Sequence, residues 1–237
     1  MQIQDFKLKN LKKEYFLKKE RINKRLLDFD NFYNKSFSWF FNNGKMELKG
    51  VNTNEDSRIF EELCFCILTA NTSAEMGMHS IDTIRNLLVK GSAEEMSKKL
   101  EGIYRFKNLR PAYILHTRNY LQKEFNFKLK EKIESLKDNK EELRDFFAFN
   151  KGIKGLGYKE ASHFLRNIGF KGYAILDKHI INSLYEFKII GEPKRPSTRD
   201  QYREMEQKMI LFSNEIRIPM DELDLLFWSR KNGKILK

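Results

Sequence analysis

The sequence predicts an all-α protein, and three observations carry that reading. No stretch alternates apolar and polar residues over the length a strand needs. Glycine and proline are scarce, with 12 and 4 among 237 residues. Helix-start signatures recur, each a small hydroxyl residue followed three positions later by an acid: Thr72 with Glu75, and Ser92 with Glu95. A chain of this length can bury a good core, as one domain or two small ones. No internal repeat is evident.

The elements follow in order. Residues 1–30 are basic and mostly helical, with Leu11, Tyr15, Ile22, Leu26 and Phe29 at near-helical spacing between lysines and arginines. That pattern fits a packed helix with a solvated face and leaves open a basic arm for DNA. Residues 32–41 are aromatic-rich, hold Trp39 and read as a core segment, closed by a turn at Asn42-Asn43-Gly44. Residues 58–70 are apolar nearly all round, as a central buried helix must be. That helix stops at Asn71-Thr72-Ser73, and the next, capped by Thr72 and Glu75, runs to about Lys90. Residues 102–108 form a loop of basic and aromatic character, and Pro111 fits the first turn of a helix to about Phe125. A lysine-rich helix or linker covers 128–138, and a short helix covers 141–149. Residues 170–176 are a connector, with Asp177 where the N-cap of another helix belongs. Ser197 opens a helix to about Asn214, and the last helix runs from Pro219 to Trp228.

Charge and cysteine usage narrow the function classes. Lys and Arg total 45 against 33 Asp and Glu, a net charge of +12 that favours a polyanionic partner, nucleic acid before acidic membrane. Cys64 and Cys66 are two apart in an apolar run, so on a helix they do not face each other. Two thiols cannot supply the four of an ordinary iron–sulfur cluster. They read as small buried hydrophobes in a reducing compartment. No secretory leader and no run of ~18 apolar residues is visible, so a soluble, intracellular (cytoplasmic) protein without membrane attachment is expected. The histidines at 79, 116, 163 and 179 have no metal-site spacing, and no metal is expected.

The stretch from Asn150 to Gly169 organises the functional reading. It has the form of a tight glycine hairpin opening a helix, with Ala161, Leu165 and Ile168 on one helical face. Gly155 and Gly157 flank Leu156, where the backbone can take positive φ or let a foreign backbone come close. The helix that follows aims unpaired N–H groups and its positive dipole end outward, which suits an anion, and in a basic protein the anion is a nucleic-acid phosphate. Lys159 lies two residues beyond Gly157. A helix N-terminus disfavours a cation, and a neutral lysine amine is a nucleophile suited to Schiff-base chemistry. Asp177, 18 residues on, heads the next helix, where a carboxylate beside that amine would relay protons and stabilise a cationic transition state. On the residues alone, Lys159 is equally one of many surface lysines and Asp177 only an N-cap.

Gly155-Leu156-Gly157-Tyr158-Lys159-Glu160-Ala161 followed by Ile175-Leu176-Asp177-Lys178-His179-Ile180 resembles the helix–hairpin–helix DNA glycosylase superfamily. Within it, the run from Gly157 to Gly169, the ending from Phe227-Trp228 through Gly233-Lys234-Ile235-Leu236-Lys237, and Leu68-Thr69-Ala70-Asn71 resemble the compact 8-oxoguanine DNA glycosylase/AP lyase family of archaea and some bacteria. The likeness covers about residues 55–237 as one unit of two helical subdomains around a DNA cleft, with the helix–hairpin–helix at about 141–169. The resemblance implies that the Lys159 amine attacks C1′ of the damaged nucleotide, expels the base and cuts the strand by β-elimination, with Asp177 supporting the cationic sugar. It implies that the hairpin, through Gly152, Lys154, Gly155 and Gly157, holds phosphate. Asn71 would face the orphan cytosine, and Arg105 and Phe106 sit where a wedge belongs. The flipped base wants an aromatic platform, for which Trp228 is suited, and an acceptor for its N7–H, which the resemblance gives to the terminal carboxylate of Lys237. No dissociable cofactor is required, a monovalent cation on the hairpin carbonyls is admitted, and the partner is double-stranded DNA containing 8-oxoguanine, met by a monomer. Two alternatives stay open: a same-fold glycosylase for another base, and a DNA-binding module without catalysis.

Overall fold

The computed structural model describes residues 2–42, 45–231 and 233–235. Among them are eleven α-helices and one antiparallel pair of strands. The chain divides into two compact units, one of residues 1–30 with 169–237 and the other of residues 31–168.

The unit of residues 31–168 is built around α2 (Glu55–Thr69). Ile59, Phe60, Leu63, Cys64, Phe65, Cys66, Ile67 and Leu68 are all buried, as the all-round apolar pattern requires. Both cysteines are buried free thiols, and burial pushes the Cys64 thiol well above its ordinary value. Asn54 caps α2, its side chain accepting from the amides of Asp56 and Ser57. Around α2 pack α3 (Ala74–Ile84), α5 (Leu109–Phe125), α6 (Leu129–Leu136) and α8 (Tyr158–Asn167), with α4 (Ala93–Lys99) against α5 and α7 (Lys140–Phe149) against α8. The capping box of Ser92 and Glu95 forms as expected.

Three expectations need correction here. The aromatic run around Trp39 is core, but it is a strand: β1 (Phe37–Asn42) pairs with β2 (Lys45–Gly50) in antiparallel register, Trp39 opposite Leu48. Met46 and Leu48 are separated by one charged residue, an alternation too short to register as a pattern. Asn43 and Gly44, expected in a turn, lie outside the described residues. The strand pair is held on α3 by the Phe41 amide donating to Asp82, and just beyond α3 by Arg85 donating to the Trp39 carbonyl. Second, α3 is capped by Ser73, whose hydroxyl accepts the Met76 amide, and not by Thr72, whose hydroxyl donates back to the Leu68 carbonyl. α3 also ends at Ile84, followed by a 3-10 turn over Arg85–Leu87, short of Lys90. Third, the helix expected to open at Ser197 is capped by Thr198.

The unit of residues 1–30 and 169–237 holds α1 (Gln2–Asn34) as far as Asp30, with α9 (Lys178–Glu186), α10 (Arg199–Ile216) and α11 (Met220–Ser229). Phe187, Phe212 and Phe227 stack at its centre, with ring planes 16° apart between Phe187 and Phe227. Tyr15 of α1 donates to Glu222 of α11 at 2.6 Å. Gly169 takes φ +94°, and a Cβ there would come 3.2 Å from the Phe29 carbonyl. No helix among the described residues is long and apolar enough to cross a membrane.

Candidate active site

In the unit of residues 31–168, the glycine hairpin between α7 and α8 is bolted to one face of α5. The Lys154 amide donates to Thr117 Oγ1 at 3.0 Å, Asn150 Nδ2 donates to the Tyr120 hydroxyl at 2.7 Å, and His116 Nε2 lies 3.2 Å from the Lys151 carbonyl. The glycines are needed for this approach. A Cβ on Gly152 would fall 2.2 Å from the Tyr120 ring, and one on Gly155 would fall 2.7 Å from the Tyr113 ring. Gly155 takes φ +83°, as expected of a turn glycine. Gly157 does not, and serves instead as the N-cap residue of α8. Gly152 and Gly157 already have acceptors for their amides, Asn150 Oδ1 at 2.9 Å and Glu160 Oε2 at 3.3 Å. The Gly155 amide has none among the described residues. Lys154 is exposed beside it. The turn therefore presents the unused amides of Gly155 and Leu156, one ammonium and the N-terminus of α8 together.

Lys159 stands in the first turn of α8, about a third exposed, its Nζ 2.9 Å from Glu160 Oε1. The other Glu160 oxygen is the one that accepts the Gly157 amide, so a single carboxylate links the turn to the amine. The face opposite carries Ala161, Leu165 and Ile168, all fully buried, which fixes how α8 is rolled. His163 packs edge-on against Phe65 with ring centroids 5.8 Å apart.

Asn71 follows the end of α2 at φ +64°, a left-handed conformation that asparagine tolerates better than most residues. It is exposed, while the carbonyls before it are pinned. Tyr104 donates its hydroxyl to the Leu68 carbonyl at 2.5 Å, and Arg110 Nη2 donates to the Ala70 carbonyl at 3.2 Å. Burial pushes the Tyr104 hydroxyl up to about 12, against the opposing pull of Arg110. Arg110 is itself buried, and its guanidinium lies 5.5 Å from the Phe106 ring centroid and 5.5 Å from that of Tyr113. The exposed Arg105 guanidinium covers Phe106 at 5.0 Å. Arg110 thus touches the support of Asn71, the ring of Phe106 and, through Nη1, the space beside Gly155. Arg110, Thr117 and Tyr120 were not singled out in the sequence. Their spacing along α5 is helical, but nothing in a single sequence marks a polar face as the seat of a loop 30 residues on.

The other unit carries Asp177, Trp228 and the tail. Asp177 is the expected N-cap: Oδ1 accepts the amides of His179 at 2.7 Å and Ile180 at 2.9 Å. Burial holds the His179 imidazole below its ordinary value, with Asp177 pulling the other way. The connector before Asp177 belongs to no helix or strand, and side chains take several of its amides. Asp221 accepts from Gly172, Glu206 from Ala174, Asp224 from Ile175 and the Tyr202 hydroxyl from Leu176. Glu206 and Asp224 are buried for this purpose. These four residues sequence reasoning missed, because an acid in a helix of a charged protein gives no sign of a connector beside it.

Trp228 is half-buried, next to the fully buried Phe227. Beyond α11, Gly233 closes on the Ser229 carbonyl at 2.8 Å, and Ile235 is buried. Leu236 and Lys237 lie outside the described residues.

Comparison with known proteins extends these observations. A family profile described as 8-oxoguanine DNA glycosylase matches residues 42–218. An 8-oxoguanine DNA glycosylase/AP lyase of Methanocaldococcus jannaschii is 37% identical over 220 residues, covering 92% of this chain and 93% of its own. One of Fusobacterium nucleatum is 37% identical over 229 residues, covering 95% and 99%. The crystal structure of the Methanocaldococcus jannaschii enzyme in complex with a 15mer DNA containing 8-oxoguanine superposes with a TM-score of 0.78 at 36% identity, over 96% of this chain and 99% of that one. The profile spans Asn71, the Phe106 loop, the hairpin, Lys159 and Asp177, and the relatives are matched over nearly their whole length: the chain belongs to the 8-oxoguanine DNA glycosylase family.

Proposed function

We propose that this protein excises 8-oxoguanine from double-stranded DNA and then cuts the strand 3′ to the abasic site. Family membership supports the lesion and the two activities. The observation that carries the chemistry to a residue is the position of Lys159, a partly exposed amine in the first turn of the helix that the glycine hairpin opens. Lys159 Nζ attacks C1′ as the N-glycosidic bond breaks, and the departing base takes up a proton. Loss of the ring oxygen bond gives a Schiff base to C1′. Removal of a C2′ proton then expels the 3′ phosphate by β-elimination. Asp177 is the carboxylate that supports the cationic sugar and assists proton transfer, while its Oδ1 caps α9. Gly155 and Lys154 hold backbone phosphate, Asn71 meets the orphan cytosine, and Phe106 with Arg105 enters the stack where the nucleotide leaves it. Trp228 and Lys237 meet the extruded base.

Borohydride trapping on duplex DNA with 8-oxoguanine opposite cytosine tests the reading. Wild type is expected to form a covalent adduct that Lys159→Gln does not form. Binding of this DNA without adduct or base release would overturn the lesion assignment or the reaction class.

A further inference from the structure

Residues 1–30 have no role in the proposed function, yet one face of α1 runs along the end of α11 and the tail that leaves it. Lys18, Arg21 and Arg25 are spaced by three and four, which places them on one side of the helix. Lys18 Nζ donates to Ser229 Oγ at 3.0 Å, Arg21 Nη2 to the Gly233 carbonyl at 3.4 Å, and Arg25 Nη2 to the Ile235 carbonyl at 3.4 Å. Their order along α1 is the order of their partners, from the last residue of α11 into the tail. Lys18 also meets the C-terminal end of α11, where the helix dipole favours a cation. A hydrogen bond at 3.4 Å is a long one, and one alone would hold little. Two to the tail, in register with the Lys18 contact at the end of α11 and with the buried Ile235 side chain as an anchor, define its course as far as Ile235.

We infer that Lys18, Arg21 and Arg25 are positioning residues for damaged-base recognition: they set the path of the tail toward the extruded base. The inference rests on the proposed role of the tail in meeting that base. It separates two activities that share Lys159. Excision needs the base to be recognised, whereas β-elimination at a ready-made abasic site has no base to recognise.

The test uses the full chain carrying Arg21→Gln and Arg25→Gln together, since Arg21 is exposed and Arg25 is only partly buried. Three quantities are read: single-turnover excision of 8-oxoguanine at saturating enzyme, cleavage of a preformed abasic site, and melting temperature. Excision is expected to fall about tenfold or more, the scale on which a misplaced polar contact costs recognition. Abasic-site cleavage is expected to stay within about twofold of wild type. Arg25→Lys, which keeps a cation over Ile235, is expected to restore most of the excision to the Arg25→Gln single variant. An equal fall in both activities, or no fall in either, overturns the inference. A chain lacking residues 236 and 237 serves as the control for the underlying reading. If that chain still excises the base at the wild-type rate, the role of the tail is wrong. If it loses excision while the double variant keeps it, the tail matters and the α1 stripe does not place it.

Discussion

Oε1 of Glu160 lies 2.9 Å from Nζ of Lys159, while Oε2 of the same carboxylate accepts the Gly157 amide at 3.3 Å. The amine proposed as nucleophile is therefore held by the group that closes the turn proposed to hold phosphate. The pair is partly exposed, so it contributes at most about 1 kcal/mol to stability. Lys159→Gln should melt within a few degrees of wild type and still bind duplex DNA, yet give no borohydride adduct. An adduct that persists in this variant would place the nucleophile elsewhere.

Asp177 is a helix cap and a proposed catalytic carboxylate, and substitution can part the two. Asparagine caps helices about as well as aspartate, so Asp177→Asn should keep its bonds to the amides of His179 and Ile180 and leave stability within about 0.5 kcal/mol. Excision should nonetheless fall by roughly a hundredfold or more, the loss typical of removing a charge from a site that stabilises a cation. Asp177→Ala should add about 1 kcal/mol of destabilisation from the lost cap. Denaturant melts alongside single-turnover rates distinguish these, and full activity in the asparagine variant would leave Asp177 a cap alone.

The same variant has a signature at His179. Burial holds this imidazole below 6.5, and Asp177 partly offsets the effect. Asp177→Asn removes the offset, so the ring should titrate lower still when followed by NMR. The sign for stability follows from linkage. A depressed imidazole in the folded state means that the unfolded chain binds the proton more readily, so this group lowers stability as pH falls below about 6.5 through the folded value. An upward shift in the variant would mean that the ring answers to some other charge.

Gly152 and Tyr120 should behave as one site. A methyl group at Gly152 meets the Tyr120 ring at 2.2 Å, an overlap that costs about 1–3 kcal/mol unless the ring moves. Gly152→Ala is expected to lower both melting temperature and duplex affinity. In a background of Tyr120→Ala the same substitution should cost much less, so a double-mutant cycle should be strongly non-additive. Additive effects would mean that the ring does not shape the turn.

How much of this was legible in the sequence depended on whether the signal was local. α2 announces itself by being apolar all round, and α8 by Ala161, Leu165 and Ile168. Asp177 heads α9 as its position suggests. The β1–β2 pair escaped because its alternation is brief and its aromatic strand reads as core in any conformation. The cap of α3 slipped by one residue because Thr72 and Ser73 both have the right chemistry, and only the path of the chain decides that Thr72 bonds backward. At the site, the residues expected to touch DNA carry recognisable chemistry. Their supports do not: Arg110, Tyr120 and Glu206 act across 30 to 40 residues of chain on amide groups that look alike everywhere.

The seating of the hairpin on α5 bears on the thermodynamics of meeting DNA. A loop that must order itself around a phosphate loses conformational freedom at the moment of binding, and affinity falls accordingly. Here Thr117, Tyr120 and the glycine contacts to Tyr113 have fixed the loop within the free protein. The entropy of shaping the turn proposed to grip phosphate is thus settled when the chain folds. More of the attraction between a +12 protein and a polyanion then remains for the step that is intrinsically unfavourable, drawing a stacked base out of the helix.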